Sequence, residues 1–290
     1  MTLPKIVFLD AATFGDVSLE SFSEIGDCKI YQVTKPNETI GRLAGQEIVV
    51  TNKAAIDAAA LAAPESHNLS LIAVAPTGTD IIDQAAARRR GIKVCNVPGY
   101  AAQSVAQFTM ALILELATHA GRYAGDVKAG MWQKSPVFSL LTYPSSELSG
   151  RTLAIIGYGN IGREVAGMAR AFGMEVLVAA RPGATEPPAS DRVPLEQLLP
   201  RADIVSLHCA LTPQTRNLIN DETLRLMSRS AFLINTARGA LIDEAALIQA
   251  LREGRLAAAA LDVISEEPPA PDHPIIAAAR TLDNLLVTPH

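Results

Sequence analysis

Short apolar runs rich in β-branched residues alternate along the chain with longer amphipathic stretches, a pattern that predicts parallel sheets wrapped by helices. In the first third the predicted strands are Lys5 to Asp10, Lys29 to Val33, Glu47 to Asn52, Leu69 to Ala75 and Lys93 to Val97, enough for one small doubly wound domain over 1–98. After Pro98 and Gly99, apolar positions at Val105, Phe108, Leu112 and Leu116 fall close to helical spacing, so Ala102 to Ala120 is read as a helix joining two domains. Gly121 to Ser149, with Trp132, Pro136 and Pro144, shows few regular periods and reads as a looser segment. Alternation then restarts with Thr152 to Ile156, Glu175 to Ala179, Ile204 to Leu207, Ala231 to Asn235, Ala258 to Asp262 and Leu285 to Val287. These runs predict a second doubly wound domain over 99–285, with 286–290 returning toward the first.

The length agrees with that division, since 290 residues exceed what one hydrophobic core usually fills. Hydrophobic residues make up 49% of the chain, charged residues 19%, and the net charge is −5, which gives no general attraction to nucleic acid or an anionic membrane. The most apolar long stretch, Val105 to Ala117, is interrupted by Gln107, Thr109 and Glu115 and is too short to cross a bilayer. Ile6 to Leu9 lacks the length of a signal-peptide core, so a cytoplasmic protein is expected. Cys28, Cys95 and Cys209 lie far apart without metal-ligand spacing; buried, reduced thiols and no metal site are expected.

The most specific local signal is Gly157-Tyr158-Gly159-Asn160-Ile161-Gly162, directly after a buried strand and opening a helix through Arg163, Val165, Ala166 and Ala169. Gly157 permits the tight turn, Gly159 lets the backbone approach a pyrophosphate, and Gly162 allows close helix-strand packing, with helix amides facing the phosphates. A glycine-rich packing turn is the structural alternative. The next strand ends at Arg181, where an NAD site usually places Asp or Glu. A carboxylate there would bond the ribose 2′-hydroxyl, whereas a guanidinium favours a 2′-phosphate, so NADP(H) is favoured and NAD(H) remains possible.

A second cationic group, Arg238, follows the apolar run Phe232 to Asn235, at the carboxyl end of a strand where open α/β sheets bind ligands. It could present its fork to a carboxylate, or form a structural ion pair. Downstream lie Asp262 to Pro268 and the closing Thr288-Pro289-His290. With Glu147 to Leu153 before the glycine loop, Leu207-His208-Cys209-Ala210-Leu211-Thr212, and Asn235-Thr236-Ala237-Arg238-Gly239, these motifs make the chain resemble the D-isomer-specific 2-hydroxyacid dehydrogenases.

That resemblance covers most of the chain. It implies an α/β fold of two doubly wound parallel-sheet domains, a flavodoxin-like substrate domain and a Rossmann NAD(P)-binding domain, with the site between them. It implies Arg238, Glu267 and His290 as catalytic residues. Arg238 would hold the carboxylate and carbonyl oxygen of a 2-oxo acid, His290 would donate the proton, and Glu267 would orient the ring and favour its charged form; Glu266 would be merely solvated. Thr77 and Gly78 would offer backbone amides to the substrate. Asp80 and Asp83 read better as helix caps. Thr236, Ala237 and Asp262 would line the nicotinamide, Thr215 would contact its ribose or phosphate, and Val105 and Thr109 would lie nearby. His208 is read as a structural residue beside the cofactor or as a satisfied core histidine. Lys53 and Trp132 are candidates with equally good roles as exposed or packing residues. The long helix and Gly121 to Ser149 would pair two subunits in a homodimer.

Two further features of the family pattern differ here: Ala210 stands where Pro is usual, and relatives continue past the position of His290 into a helix. The Thr51-Asn52-Lys53 stretch, the Thr77-Gly78-Thr79 loop and Tyr143-Pro144 resemble hydroxypyruvate or glyoxylate reductases, also called glycerate dehydrogenases. A cluster of basic residues for a phosphorylated substrate is lacking. The expected reaction is reduction of a small 2-oxo acid; D-3-phosphoglycerate and D-lactate dehydrogenases are the alternatives. A non-catalytic dinucleotide sensor is disfavoured because it would need only the cofactor site.

Overall fold

The computed structural model describes residues 3–183 and 191–290. They form two compact units, Met1–Tyr100 and Ala101–His290. In the first, β1 (Lys5–Phe8), β2 (Asp27–Ile30), β3 (Ile48–Thr51), β4 (Leu71–Val74) and β5 (Lys93–Asn96) form one sheet in the order β2-β1-β3-β4-β5. Every pairing is parallel, and the order is that of a flavodoxin-like sheet.

The second unit carries β6 (Thr152–Ile156), β7 (Glu175–Val178), β8 (Ile204–Leu207), β9 (Phe232–Asn235), β10 (Ala258–Leu261) and β11 (Leu285–Val287). Their order is β11-β10-β9-β8-β6-β7, again all parallel. Val193 forms a parallel bridge to Ala179 outside β7 and stands for the outermost strand of a Rossmann sheet. β8 and β10 are buried along their whole length, as expected of parallel strands covered on both faces. Along β6 the pleat sends Leu153 and Ile155 toward the long helix Ala102–Thr118, while Ala154 and Ile156 face the opposite core.

Three local expectations change. The segment after the long helix is not wholly irregular: His119 adopts φ 54, which stops that helix, and a second helix runs Ala120–Lys128. None of its residues is buried, and Gly121 and Gly125 lie inside it, residues of low helix propensity that conceal it in the sequence. The thiols are reduced but not buried; Cys28 and Cys209 are half-buried and Cys95, on edge strand β5, is exposed. Leu286 and Val287 pair with Ala260 and Leu261 in the second sheet, so the closing stretch 286–290 is anchored there.

Candidate active site

Strand register gathers the motifs of the second unit. Ile156 pairs with Leu207, Leu207 with Asn235, Asn235 with Leu261 and Leu261 with Val287. The next residue on each strand is therefore Gly157, His208, Thr236, Asp262 and Thr288, a single row along the carboxyl edge. The backbone ladder continues one residue into that row, with His208 N–H donating to Ile156 (2.7 Å), Asp262 to Asn235 (2.9 Å) and Thr288 to Leu261 (2.9 Å). The strand order reverses between β6 and β8, the switch point at which sheets of this kind take their ligand.

The glycine loop fits a dinucleotide. Gly157 has φ 100, and a Cβ there would lie 2.3 Å from the Cys209 backbone nitrogen. At Gly162 a Cβ would meet the Gly157 carbonyl oxygen at 2.2 Å, so helix and turn are in contact. Around Gly159 no described atom beyond its own chain neighbours lies within 4 Å of that position, which leaves the space a phosphate would take. The helix Asn160–Ala171 starts there with no acidic residue in its first turn, so Asn160 and Ile161 offer amides to an anion without carboxylate competition. Arg181 lies exposed beyond β7.

The catalytic candidates sit on two loops packed against each other. Asn235, fully buried at the end of β9, donates to the Arg238 carbonyl (2.9 Å) and accepts from the Ala237 N–H (3.0 Å), shaping the turn that carries Arg238. The Arg238 guanidinium donates to the Ala237 carbonyl at 2.7 Å. On the other loop, Glu267 accepts from the Ile264 N–H through Oε1 (2.9 Å) and holds His290 Nδ1 through Oε2 (2.5 Å). With Nδ1 so held, the orientation of the His290 ring is set by Glu267. Glu244 fastens the same loop by accepting from the Ser265 N–H (2.7 Å) and hydroxyl (2.9 Å). Thr288 donates to Asp262 Oδ1 at 2.6 Å, tying the chain that ends in His290 to the row.

Sequence reasoning gave no role to Asn235, Glu244, Gly239 or Thr288, which hold these loops. A polar residue ending an apolar strand was the one signal available for Asn235. Among the other cofactor candidates, Thr236 bonds Thr109 of the long helix (3.0 Å), and Val105 accepts the Thr109 hydroxyl (2.8 Å). The Thr215 hydroxyl donates to the Ala210 carbonyl (2.7 Å) and accepts from the Thr212 N–H (2.7 Å). It clasps that turn. Trp132 is exposed and donates to the Phe138 carbonyl at 2.9 Å.

In the first unit, Thr77 and Gly78 follow the carboxyl end of β4; Thr77 donates to the Val97 carbonyl (2.9 Å) and accepts from Asn96 (2.6 Å). Asp83 caps its helix through the Ala86 N–H (2.8 Å), as expected. The buried Asp10, not singled out from sequence, accepts from the N–H groups of Asn52, Lys53 and Ala54 and shapes the loop bearing the exposed Lys53.

His208 is not a satisfied core histidine. Nε2 bonds the Ser206 hydroxyl (2.9 Å), two residues back on the same strand face, while Nδ1 is sealed from solvent without a partner. Burial pushes the ring down to about 4, from an ordinary 6.5. The folded ring is neutral, and unfolding lets it take up a proton; stability from this residue is full above the ordinary value and lost as pH falls toward 4. The loss amounts to roughly 3 kcal/mol. Urea midpoints between about pH 7 and pH 4.5 should fall less in His208→Gln than in wild type; equal slopes would assign the acid sensitivity elsewhere. Next to it, burial pushes the Cys209 thiol up to about 11, so it stands beside the glycine loop as a neutral thiol rather than a nucleophile.

A family profile described as D-isomer specific 2-hydroxyacid dehydrogenase, NAD binding domain, matches residues 110–290. A glycerate dehydrogenase of Methylorubrum extorquens is 43% identical over 287 residues, which cover 99% of this chain and 88% of that protein. A hydroxypyruvate reductase of Blautia hydrogenotrophica is 36% identical over 293 residues, 99% of this chain and 89% of its own. A crystal structure of a Thermus thermophilus protein superposes with a TM-score of 0.81 at 36% identity, over 99% of this chain and 89% of that one.

Proposed function

The chain belongs to the D-isomer specific 2-hydroxyacid dehydrogenase family, and from that premise we propose that it reduces hydroxypyruvate or glyoxylate to the D-2-hydroxy acid, with NADPH favoured over NADH. The observation that carries this reading is the 2.5 Å Glu267–His290 pair on a loop packed against the one bearing Arg238. An anchor for a carboxylate and a held proton donor are what a 2-oxo acid requires.

When bound, the coenzyme supplies the hydride that adds to the substrate's carbonyl carbon. Arg238 engages the carboxylate and draws electron density toward the carbonyl oxygen, where negative charge develops. His290 Nε2 delivers a proton to that oxygen as charge builds there, and Glu267 holds the ring in line and offsets its positive form. In the oxidative direction the same nitrogen accepts the proton. Gly157, Gly159 and Gly162 would hold the pyrophosphate, and Thr236, Ala237 and Asp262 would line the nicotinamide.

Relatives named for glycerate and hydroxypyruvate support a small unphosphorylated substrate. Arg181 supports the phosphorylated coenzyme, because a guanidinium bonds a 2′-phosphate where a carboxylate would repel it. A homodimer formed through the long helix and 121–149 is supported by apolar side chains left in solvent there, Phe138 at 92% and Leu141 at 84% exposure. A spectrophotometric panel of hydroxypyruvate, glyoxylate, pyruvate and phosphohydroxypyruvate with each coenzyme tests the reading. The expected result is highest kcat/KM on the first two and a preference for NADPH of roughly 10- to 100-fold. Failure to oxidise either coenzyme with any of the four would overturn it.

A further inference from the structure

We propose that Arg192 is a second cation for the phosphate on the adenosine ribose, held in position by the ring of Tyr158, and so determines coenzyme specificity together with Arg181. The inference rests on the NADPH reading above and names a residue that no motif carries.

Its placement follows from backbone pairing. Val193 donates to the Val178 carbonyl (2.9 Å) and accepts from the Ala180 N–H (2.8 Å), so Arg192 stands outside β7, beside the chain that leads to Arg181. From there its side chain reaches back across the end of β7, and its guanidinium carbon lies 4.7 Å from the centroid of the Tyr158 ring. Tyr158 is the residue between Gly157 and Gly159. The guanidinium therefore spans the gap between the pyrophosphate loop and the end of the next strand. In a dinucleotide site the adenosine ribose occupies that gap, its 2′ position turned toward the strand end.

The charge arrangement calls for a more anionic ligand than a pyrophosphate alone. Arg163, on the helix that the glycine loop opens, also faces the Tyr158 ring, at 5.7 Å. Two guanidinium groups against one ring repel each other. Among the described residues the carboxylate paired with Arg192 is its own neighbour Asp191, at 3.3 Å and 71% exposed, an ion pair that water screens heavily. A 2′-phosphate adds roughly −1.5 to −2 of charge and several acceptor oxygens. The Arg192 side chain is only 25% exposed, so its ordering on the ring is already in place before a ligand arrives.

Calorimetric titration of the substrate-free protein with 2′,5′-ADP, ADP, NADPH and NADH tests this without turnover, using wild type, Arg192→Gln, Arg192→Lys, Tyr158→Leu and Arg181→Ala. Arg192→Gln should weaken 2′,5′-ADP and NADPH by roughly 10- to 100-fold and leave ADP and NADH within about 2-fold. Arg192→Lys should recover part of the loss, and Tyr158→Leu should show a smaller loss confined to the phosphorylated ligands. If wild type prefers 2′,5′-ADP, Arg181→Ala abolishes the preference and Arg192→Gln keeps it, the role of Arg192 is refuted and the NADPH reading stands. Equal weakening of ADP and 2′,5′-ADP by Arg192→Gln would make the residue a support for the loop and refute the proposal. Wild-type protein that binds both nucleotides equally would overturn the proposal and the coenzyme reading together.

Discussion

Replacing Arg238 with alanine is expected to lower kcat/KM for hydroxypyruvate by roughly 10³- to 10⁴-fold, because in the proposed mechanism one side chain both anchors the carboxylate and stabilises charge on the carbonyl oxygen. Coenzyme affinity should not change. The turn that carries Arg238 is shaped by Asn235, which bonds its backbone at 2.9 and 3.0 Å, so the truncation removes the guanidinium and leaves the loop in place. His290→Asn should lower kcat by roughly 10²- to 10⁴-fold, the share expected of a positioned proton donor, with a much smaller effect on KM. Combining the two substitutions should cost far less than the product of the separate losses, since in that mechanism both groups act on one carbonyl. Single-turnover hydride transfer, read from NADPH absorbance, separates chemistry from binding. Turnover near wild type in Arg238→Ala would remove that residue from the mechanism, whatever the fold.

Much of this site was legible in the sequence because each of its motifs directly follows an apolar run, and the end of a buried parallel strand is where a chain must leave the core. Gly157 is recognisable on that ground together with its glycine spacing, whereas Thr236 and Asp262 are picked out by the family resemblance. What the sequence could not supply is the register that puts them in one row, since each pairing joins residues far apart in the chain. The His208–Ser206 bond was within reach, because residues two apart on a strand share a face. Its unpartnered nitrogen was not, because burial of a single atom depends on packing from other segments. Helix Ala120–Lys128 was missed for a complementary reason: Gly121 and Gly125 lie in its interior, and glycine disfavours a helix. Arg192 follows no strand of its own and belongs to no motif, so only the ring contact with Tyr158 identifies it.

Gly239→Ala is expected to cost about 1 to 3 kcal/mol of stability and, by displacing the site, roughly 10²-fold in kcat/KM. A Cβ at this position would lie 1.9 Å from the Ile264 carbonyl carbon, 2.1 Å from its oxygen and 2.4 Å from the Ser265 nitrogen. All three are backbone atoms, so no side-chain rotation relieves the clash, and one of the two loops has to move. Neither moves without breaking bonds. The Arg238 loop is held by Asn235, and the facing loop by Glu244 on Ser265 (2.7 Å) and by Glu267 on Ile264 (2.9 Å). Because Glu267 also holds His290, any shift that makes room for one methyl group changes the spacing between Arg238 and His290. Gly167→Ala supplies the contrast: it lies inside the helix Asn160–Ala171, no described atom beyond the backbone of that helix stands within 4 Å of its added Cβ, and it should stabilise the protein by about 0.5 to 1 kcal/mol with activity unchanged. Thermal unfolding and kcat/KM of the two variants measured side by side read both effects. Wild-type activity in Gly239→Ala would mean that the two loops are not rigidly stacked and that the spacing of Arg238 from His290 is set elsewhere.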